Sequence, residues 1–438
     1  MISTADQANW PRHRKVLAAP FNEGAMSFVW AESLHQTQYL LQYWAKEKRE
    51  QDGFSSASKD TRTLSLNVMA ACGFRRSFNF ETSSDEITTT STYSYRDALQ
   101  IVLDNAILIM LIPRQYLRYS WLPQNMQILG KAAADFKLHM ARMLEEETDM
   151  MNRGEKGSGS LMTSFVRALD THQKEDTKST GTRGLSVDEI FGNIFVINFA
   201  GHDTTANTLA FTIILLAANP EVQDWVREEV RRVTKAMDVA DWDYERLFPQ
   251  LTRCRAVLVS SSRPLSAFST DSERKHETLR LYPPILSLPK WTNERPTSLR
   301  VGDRTVVIPA LSGVSPSVLS SHTHPDYWPE PLSWKPSRWV VSGSIGSSGS
   351  LLVPSQGTFY PWSDGPQVCL GVKFSQVEFV AVVACLLREK QLSIVPNAGE
   401  SRDETMQRVR EVTKDCNFQM LLRMKHPEKI RLSCTAAQ

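Results

Sequence analysis

Apolar positions recur at helical spacing along most of this chain. From Phe28 to about Leu144 they mark a succession of amphipathic helices, clearest in ESLHQTQYLLQYWAKEK and FKLHMARMLEEE, whose aromatic and methionine stripes are faces for core packing. Two polar linkers, 145–160 and 170–184, are rich in Gly, Ser, Thr and charge and read as surface loops flanking a short helix, LMTSFVRAL. Ser186 and Glu189 then form an S-x-x-E capping box that opens a long helix over 190–218. His202 and Asp203 are its only ionisable side chains, so it is buried along most of its length. A membrane span is the competing reading. Asn193, Asn198, Gly201, His202, Asp203 and the threonines beside them argue against lipid, where such groups would need partners.

Asn219 and Pro220 cap and start the next helix, PEVQDWVREEVRRVTKAM, with a solvated charged face. Its successor is interrupted: 259–276 holds six serines and Pro264 where an apolar helix should arrive at Glu277. Val259-Ser260 is what an in-frame splice donor would encode, so this segment reads as translated intron, with a genuine surface insertion as the alternative. The Ser-Gly tract 342–350 is a surface loop. The tail reads as a helix around 403–412 followed by two strands, FQMLLRMK and KIRLSC, joined at His426-Pro427-Glu428.

Composition narrows the class. A chain of 438 residues, 41% hydrophobic and 22% charged, can bury a large core, and a net charge of +2 gives no electrostatic case for nucleic acid. The six cysteines form no CxxC pair, which suits reduced thiols. The start, MISTADQANWPRHRKV, is too polar for a signal peptide or anchor, and the apolar run 101–112 is too short to span and carries Asp104 and Asn105.

Candidate chemistry concentrates at Cys369, which stands between Gly365 and Gly371 and directly ahead of an apolar helical run through Phe374, Val377, Val380, Ala381, Ala384 and Leu387. The positive end of a helix favours a thiolate there, and glycines let amides approach the sulfur. By itself the stretch suits a nucleophile, an iron ligand or a small buried hydrophobe equally. AGHDTT, 200–205, sets a carboxylate beside a hydroxyl inside the long helix, as a proton relay requires; a kink with satisfied side chains is the plainer reading. Gly201 could open the helical ladder there and leave room for a small molecule. Trp10 and Arg14 lie one turn apart on one face, and Glu277 and Arg280 form an E-x-x-R pair ahead of LYPP and the PSRW that contains Arg338.

Taken together, WSDGPQVCLG, AGHDTT, E-x-x-R with PSRW, and WxxxR resemble, in order and over nearly the whole chain, the motifs of the cytochrome P450 family. The resemblance implies a mainly α fold with small β-sheets, a single domain over 1–438, and a haem b whose iron is held by Cys369, a thiolate that favours O–O cleavage. It implies that Trp10, Arg14, Lys290 and Gln367 seat the haem with Gly365 and Gly371, that Ala200, Gly201, Asp203 and Thr204 serve oxygen activation, and that Glu277, Arg280 and Arg338 form a buried ion triad. Gln367 departs from the arginine usual in the family and brings a hydrogen-bond donor without charge. The implied activity is monooxygenation of an organic, lipophilic or secondary-metabolite substrate, with O2 and with electrons from NADPH through NADPH-cytochrome P450 reductase, as in fungal microsomal members. The family's membrane anchor, first helices, sheet and substrate-gripping loop do not precede Trp10, so the chain resembles an N-terminally truncated member lacking one wall of the active site. The full-length family sits on the cytosolic face of the endoplasmic reticulum and meets the membrane through that anchor. Two alternatives stand: a non-catalytic fragment or mis-spliced product, and a haem-thiolate isomerase or dehydratase, which would need no proton relay and against which the intact AGHDTT argues.

Overall fold

The computed structural model describes residues 9–46, 53–75, 77–80, 93–112, 116, 117, 119, 121–155, 160–169, 184–235, 237–258, 260, 261, 274, 275, 277–341, 350–418 and 420–437. The linker 170–184 apart from its last residue, most of the segment 259–276 and nearly all of the tract 342–350 lie outside them. As expected, helices dominate and the sheets are small; among the described residues each sheet is two-stranded. The chain divides into two compact units, Met1–Tyr43 with Arg62–Thr205, and Trp44–Thr61 with Ala206–Gln438.

In chain order the helices are α1 (Trp10–Ala18), α2 (Glu23–Lys46), α3 (Ala57–Phe74), α4 (Tyr95–Asp104), α5 (Ala106–Leu111), α6 (Gln124–Asn152), α7 (Leu161–Arg167) and α8 (Val187–Ala218). They continue as α9 (Pro220–Thr234), α10 (Tyr244–Leu247), α11 (Thr252–Leu258), α12 (Thr278–Leu281), α13 (Val318–His322), α14 (Val372–Glu389) and α15 (Arg402–Lys414). The strands are β1 (Ser260–Ser261), β2 (Arg274–Lys275), β3 (Lys290–Trp291), β4 (Thr297–Val301), β5 (Arg304–Ile308) and β6 (Gly313–Val314). After them come β7 (Val340–Val341), β8 (Ser350–Leu351), β9 (Lys390–Val395), β10 (Cys416–Phe418), β11 (Leu422–Met424) and β12 (Arg431–Ala436).

In the first unit, α6 turns one stripe inward, Leu129, Ala132, Ala133, Phe136, Met140, Met143, Leu144 and Glu147, which meets the buried face of α4 with Tyr95 and Phe136 rings 5.8 Å apart. The same stripe corrects the first linker: α6 continues through Asn152 because Glu147, polar on paper, is buried and accepts a hydrogen bond from Thr163. Ser160 caps α7 in a box with Thr163, and Ser186 caps α8 in the expected box with Glu189.

In the second unit, α14 is buried along nearly its whole length. Helix α9 is fastened beside it by Arg227, which donates to the carbonyls of Leu387 and Lys390, and by Gln223, which exchanges hydrogen bonds with the backbone of Leu392 on β9. The tail departs from the expected hairpin. FQMLLRMK is not one strand but part of the pair β10–β11, and β12 pairs with β9 in the register Leu432↔Ile394 and Cys434↔Leu392. Leu432 and Cys434 alternate inward beside Leu392, so burial of that face selects β9 as the partner. Gly53 backs the same strand at φ 73°, and a Cβ there would come within 2.9 Å of the Leu432 carbonyl.

Candidate active site

The cysteine loop is closed by its own backbone. Gly365 adopts φ 76°, where glycine alone is unstrained, and a 3₁₀ turn, Gly365–Gln367, follows with the Gly365 amide on Asp364 Oδ1 at 2.8 Å. The Cys369 amide donates to the Trp362 carbonyl at 2.9 Å, and Trp362 Nε1 donates to Ser375 Oγ at 3.2 Å, pinning the loop to α14. Gly371 caps α14 and its amide donates to Cys369 Sγ at 3.3 Å. The sulfur is therefore held at a helix N-terminus, where an anion is favoured. A Cβ on Gly371 would stand 3.8 Å from the sulfur, so glycine keeps that side open rather than relieving strain. Of the six cysteines, Cys369 is the exposed one; burial pushes the thiols of Cys254 well up, of Cys385 up to about 12 and of Cys416 up to about 11. An accessible thiol with an amide aimed at it, in a chain that holds Cys254, Cys385 and Cys416 as thiols, fits a thiolate ligand to a haem iron. Gln367 is exposed beside it, and Lys290 is exposed on β3.

Glu277, Arg280 and Arg338 lie in hydrogen-bonding contact. Arg280 donates through Nε and Nη2 to the two oxygens of Glu277, both at 2.9 Å, and Arg338 Nε reaches Glu277 Oε1 at 3.1 Å. Two donors not foreseen complete the carboxylate: the Lys335 amide at 2.7 Å and Trp339 Nε1 at 2.8 Å. Arg280 spends its remaining donors on the carbonyls of His322, Pro331 and Ser333, and Arg338 on those of Pro329, Glu330 and Ser333. Glu277 and Arg280 are wholly buried, and such a pair persists only with this degree of satisfaction.

His322 was not singled out by the sequence. It is buried, stacks on Phe359 at 4.5 Å, accepts the Tyr360 amide on Nε2 at 2.9 Å and turns Nδ1 to the Leu279 carbonyl at 3.3 Å. It thereby ties α12 to the segment leading into the cysteine loop, and burial pushes its pKa down to about 3. A histidine in SSHTHPD looks like surface; only the packing of α12 against α13 encloses it.

AGHDTT lies within α8, which runs unbroken from Val187 to Ala218. The expected opening at Gly201 is corrected: the Met69 side chain occupies that side, so close that a Cβ on Gly201 would fall 2.2 Å from Met69 Cε. Thr204 Oγ1 donates to the Ala200 carbonyl at 2.7 Å and Thr205 Oγ1 to the Gly201 carbonyl at 3.3 Å. Asp203 is fully buried, and its partner is a residue the sequence did not mark, Arg62 of α3, whose Nε donates to Asp203 Oδ1 at 2.8 Å while Nη2 holds the more exposed Asp104 at 2.6 Å. His202 turns Nδ1 to the Asn198 carbonyl at 2.8 Å and sets Nε2 3.3 Å from Asp203; burial lowers its pKa against the pull of that carboxylate. On α1, Arg14 stacks over Trp10 at 5.9 Å, and the helix is anchored by Arg12 on Glu189 and by His13, hydrogen-bonded to Asn193 at 2.9 Å. Trp10, Arg14, Ala200, Gly201, Asp203 and Thr204 belong to the first unit; Lys290, Gly365, Gln367, Cys369, Gly371 and the triad belong to the second.

The family model for Cytochrome P450 matches residues 1–254 and 275–419. A cytochrome P450 monooxygenase of Arthrobotrys oligospora is 25% identical over 98% of this chain and 75% of its own length. The phomenoic acid biosynthesis cluster cytochrome P450 monooxygenase of Leptosphaeria maculans is 26% identical over 91% of this chain and 69% of its own. A crystal structure of a cytochrome P450 superposes with a TM-score of 0.69 at 18% identity, covering 100% of this chain and 84% of that one, which speaks to the fold. No helix among the described residues is long and apolar enough to cross a membrane. The chain belongs to the cytochrome P450 family, and is an enzyme of its monooxygenase class with the haem, O2, organic substrate and redox partner that the family implies.

Proposed function

We propose that this protein inserts one oxygen atom of O2 into a lipophilic organic substrate of fungal secondary metabolism, with haem b held by Cys369 and electrons from NADPH through NADPH-cytochrome P450 reductase at the endoplasmic reticulum. The observation that carries the reading is the Gly371 amide on the exposed Cys369 sulfur at the start of α14. Similarity to a biosynthesis-cluster enzyme supports the substrate class. When bound, the haem supplies O2 activation; the rest is the work of this chain's side chains. Trp10, Arg14, Lys290 and Gln367 would seat the haem propionates, Arg14 and Lys290 by charge, Trp10 by its indole N–H and Gln367 by an uncharged amide. Thr204, a donor to Ala200, keeps oxygen lone pairs that accept a hydrogen bond from water and so orient it. Asp203 passes protons to that water, and Arg62 with Asp104 links the buried carboxylate to the surface.

Reduced protein exposed to carbon monoxide tests the reading. The red-shifted Soret band of a thiolate haem is expected, and Cys369→Ser should lose it; a normal band in that variant would move the ligand elsewhere.

A further inference from the structure

Helices α11 and α12 are each too short to be stable alone, at 7 and 4 residues. One bond across the gap gives their relation. Thr278 Oγ1 donates to the Val257 carbonyl at 3.0 Å, 21 residues back in the chain. Elsewhere in this protein Thr37, Thr148, Thr234 and Thr413 make the same bond to the carbonyl four residues earlier. The difference, 21 − 4, is 17 residues. Omitting 259–275 puts Thr278 four places after Val257, and Cys254, Val257, Leu258 and Thr278, all buried, then fall at i, i+3, i+4 and i+7. Glu277 already has helical dihedrals, φ −86° and ψ −48°, and its carbonyl accepts the Leu281 amide at 3.3 Å. The chain leaves and returns at one place, because β1 and β2 pair Ser260 with Lys275 and Ser261 with Arg274.

We propose that α11 and α12 are two parts of one helix with Leu258 followed directly by His276, and that residues 259–275 come from sequence absent from the mature message of the functional enzyme. The joined helix would run from Thr252 to Leu281 over 7 + 6 = 13 residues, with Glu229 accepting the amides of Arg253 and Cys254 at its start. Independently, the family model stops at residue 254 and resumes at 275. Seventeen codons are 3 × 17 = 51 nucleotides, so omission preserves the frame, and Val259-Ser260 reads as a splice donor. His276 stays in the join, so the omitted segment is one residue shorter than 259–276.

The proposal does not depend on the substrate or on turnover. The test compares the full chain with three deletions, 259–275, 259–274 and 259–276. One residue more or less turns Glu277 by about 100° around the helix axis, away from Arg338 and Trp339. The 17-residue deletion should raise the thermal unfolding midpoint by about 2 °C or more over the full chain and give the highest haem loading of the four. The 16- and 18-residue deletions should fall below it on both measures. Sequencing of message from expressing cells should find the 51 nucleotides missing. A 17-residue deletion no more stable than the full chain, equal behaviour of the three deletions, or mature message that always retains the segment would overturn the proposal.

Discussion

In the proposed relay Asp203 would meet two demands at once, since a buried carboxylate needs a counter-charge to stay ionised and a relay needs it to exchange. Arg62 meets the first by a hydrogen bond at 2.8 Å. Removing it leaves a charge in a site with no solvent exposure, so Arg62→Ala should cost about 3 kcal/mol in chemical unfolding, whereas Asp104→Asn, at a more exposed position, should cost under about 1 kcal/mol. Adding Asp203→Asn to Arg62→Ala should recover part of that loss; no recovery would mean that Arg62 acts through packing. In the proposed relay Thr204 would differ, its hydroxyl orienting water without carrying charge. In reductase-supported turnover Thr204→Ala should keep haem binding and NADPH consumption and divert reducing equivalents to hydrogen peroxide, and unchanged coupling to product would reduce Thr204 to a helix-packing residue. The Asp203-Thr204 pair was legible as an acid beside an alcohol in an apolar helix, but Arg62 was not, because its helix ASKDTRTLSLNVMAACGF shows no signal of which distant carboxylate it will meet.

Helix α8 shows how an element is shaped by a neighbour. Its length was readable from the capping box and the long apolar run that follows it. Gly201 looked like a break, yet in a helix this well packed the glycine serves close approach, with Met69 filling the missing side chain's place. Gly201→Ala gains about 1 kcal/mol of helix propensity but must displace Met69, and overpacking of this kind costs about 1–3 kcal/mol. The variant should therefore be destabilised, and Met69→Ala in its background should bring it back toward its own single-variant level; additive losses in that double-mutant cycle would show that the two do not touch. The triad element behaves oppositely, since its strength lies in satisfied donors. Glu277→Gln keeps the shape, yet one oxygen becomes an NH2 facing Arg280 or Arg338, and a loss of about 3–5 kcal/mol with poor haem loading is expected from unfolding and absorbance measurements.

At the scale of the whole molecule, buried neutral histidines set the acid side of stability. Burial lowers His13, His202 and His322, the last to about 3. A histidine whose folded pKa lies below its unfolded value of about 6.5 binds its proton preferentially when unfolded, so stability is held above pH 6.5 and lost as pH falls toward 3. His322 alone contributes a loss on the order of 4 kcal/mol across that window. The midpoint of unfolding should fall steadily below pH 6.5, and His322→Gln should flatten the slope; an unchanged slope would mean that His322 is not held neutral. The sequence determined the helical class, the Cys369 loop, the AGHDTT helix and the E-x-x-R and PSRW partners, because these rest on local spacing, capping and motif order, which a chain carries without folding. The tertiary structure decided the pairing of β12 with β9, the reach of α6 through Glu147, the enclosure of His322, the Arg62 partner of Asp203 and the bond from Thr278 to Val257. Each of these joins residues far apart in the chain, and what selects them is burial of a shared face or satisfaction of a buried polar atom, which only the packed molecule specifies.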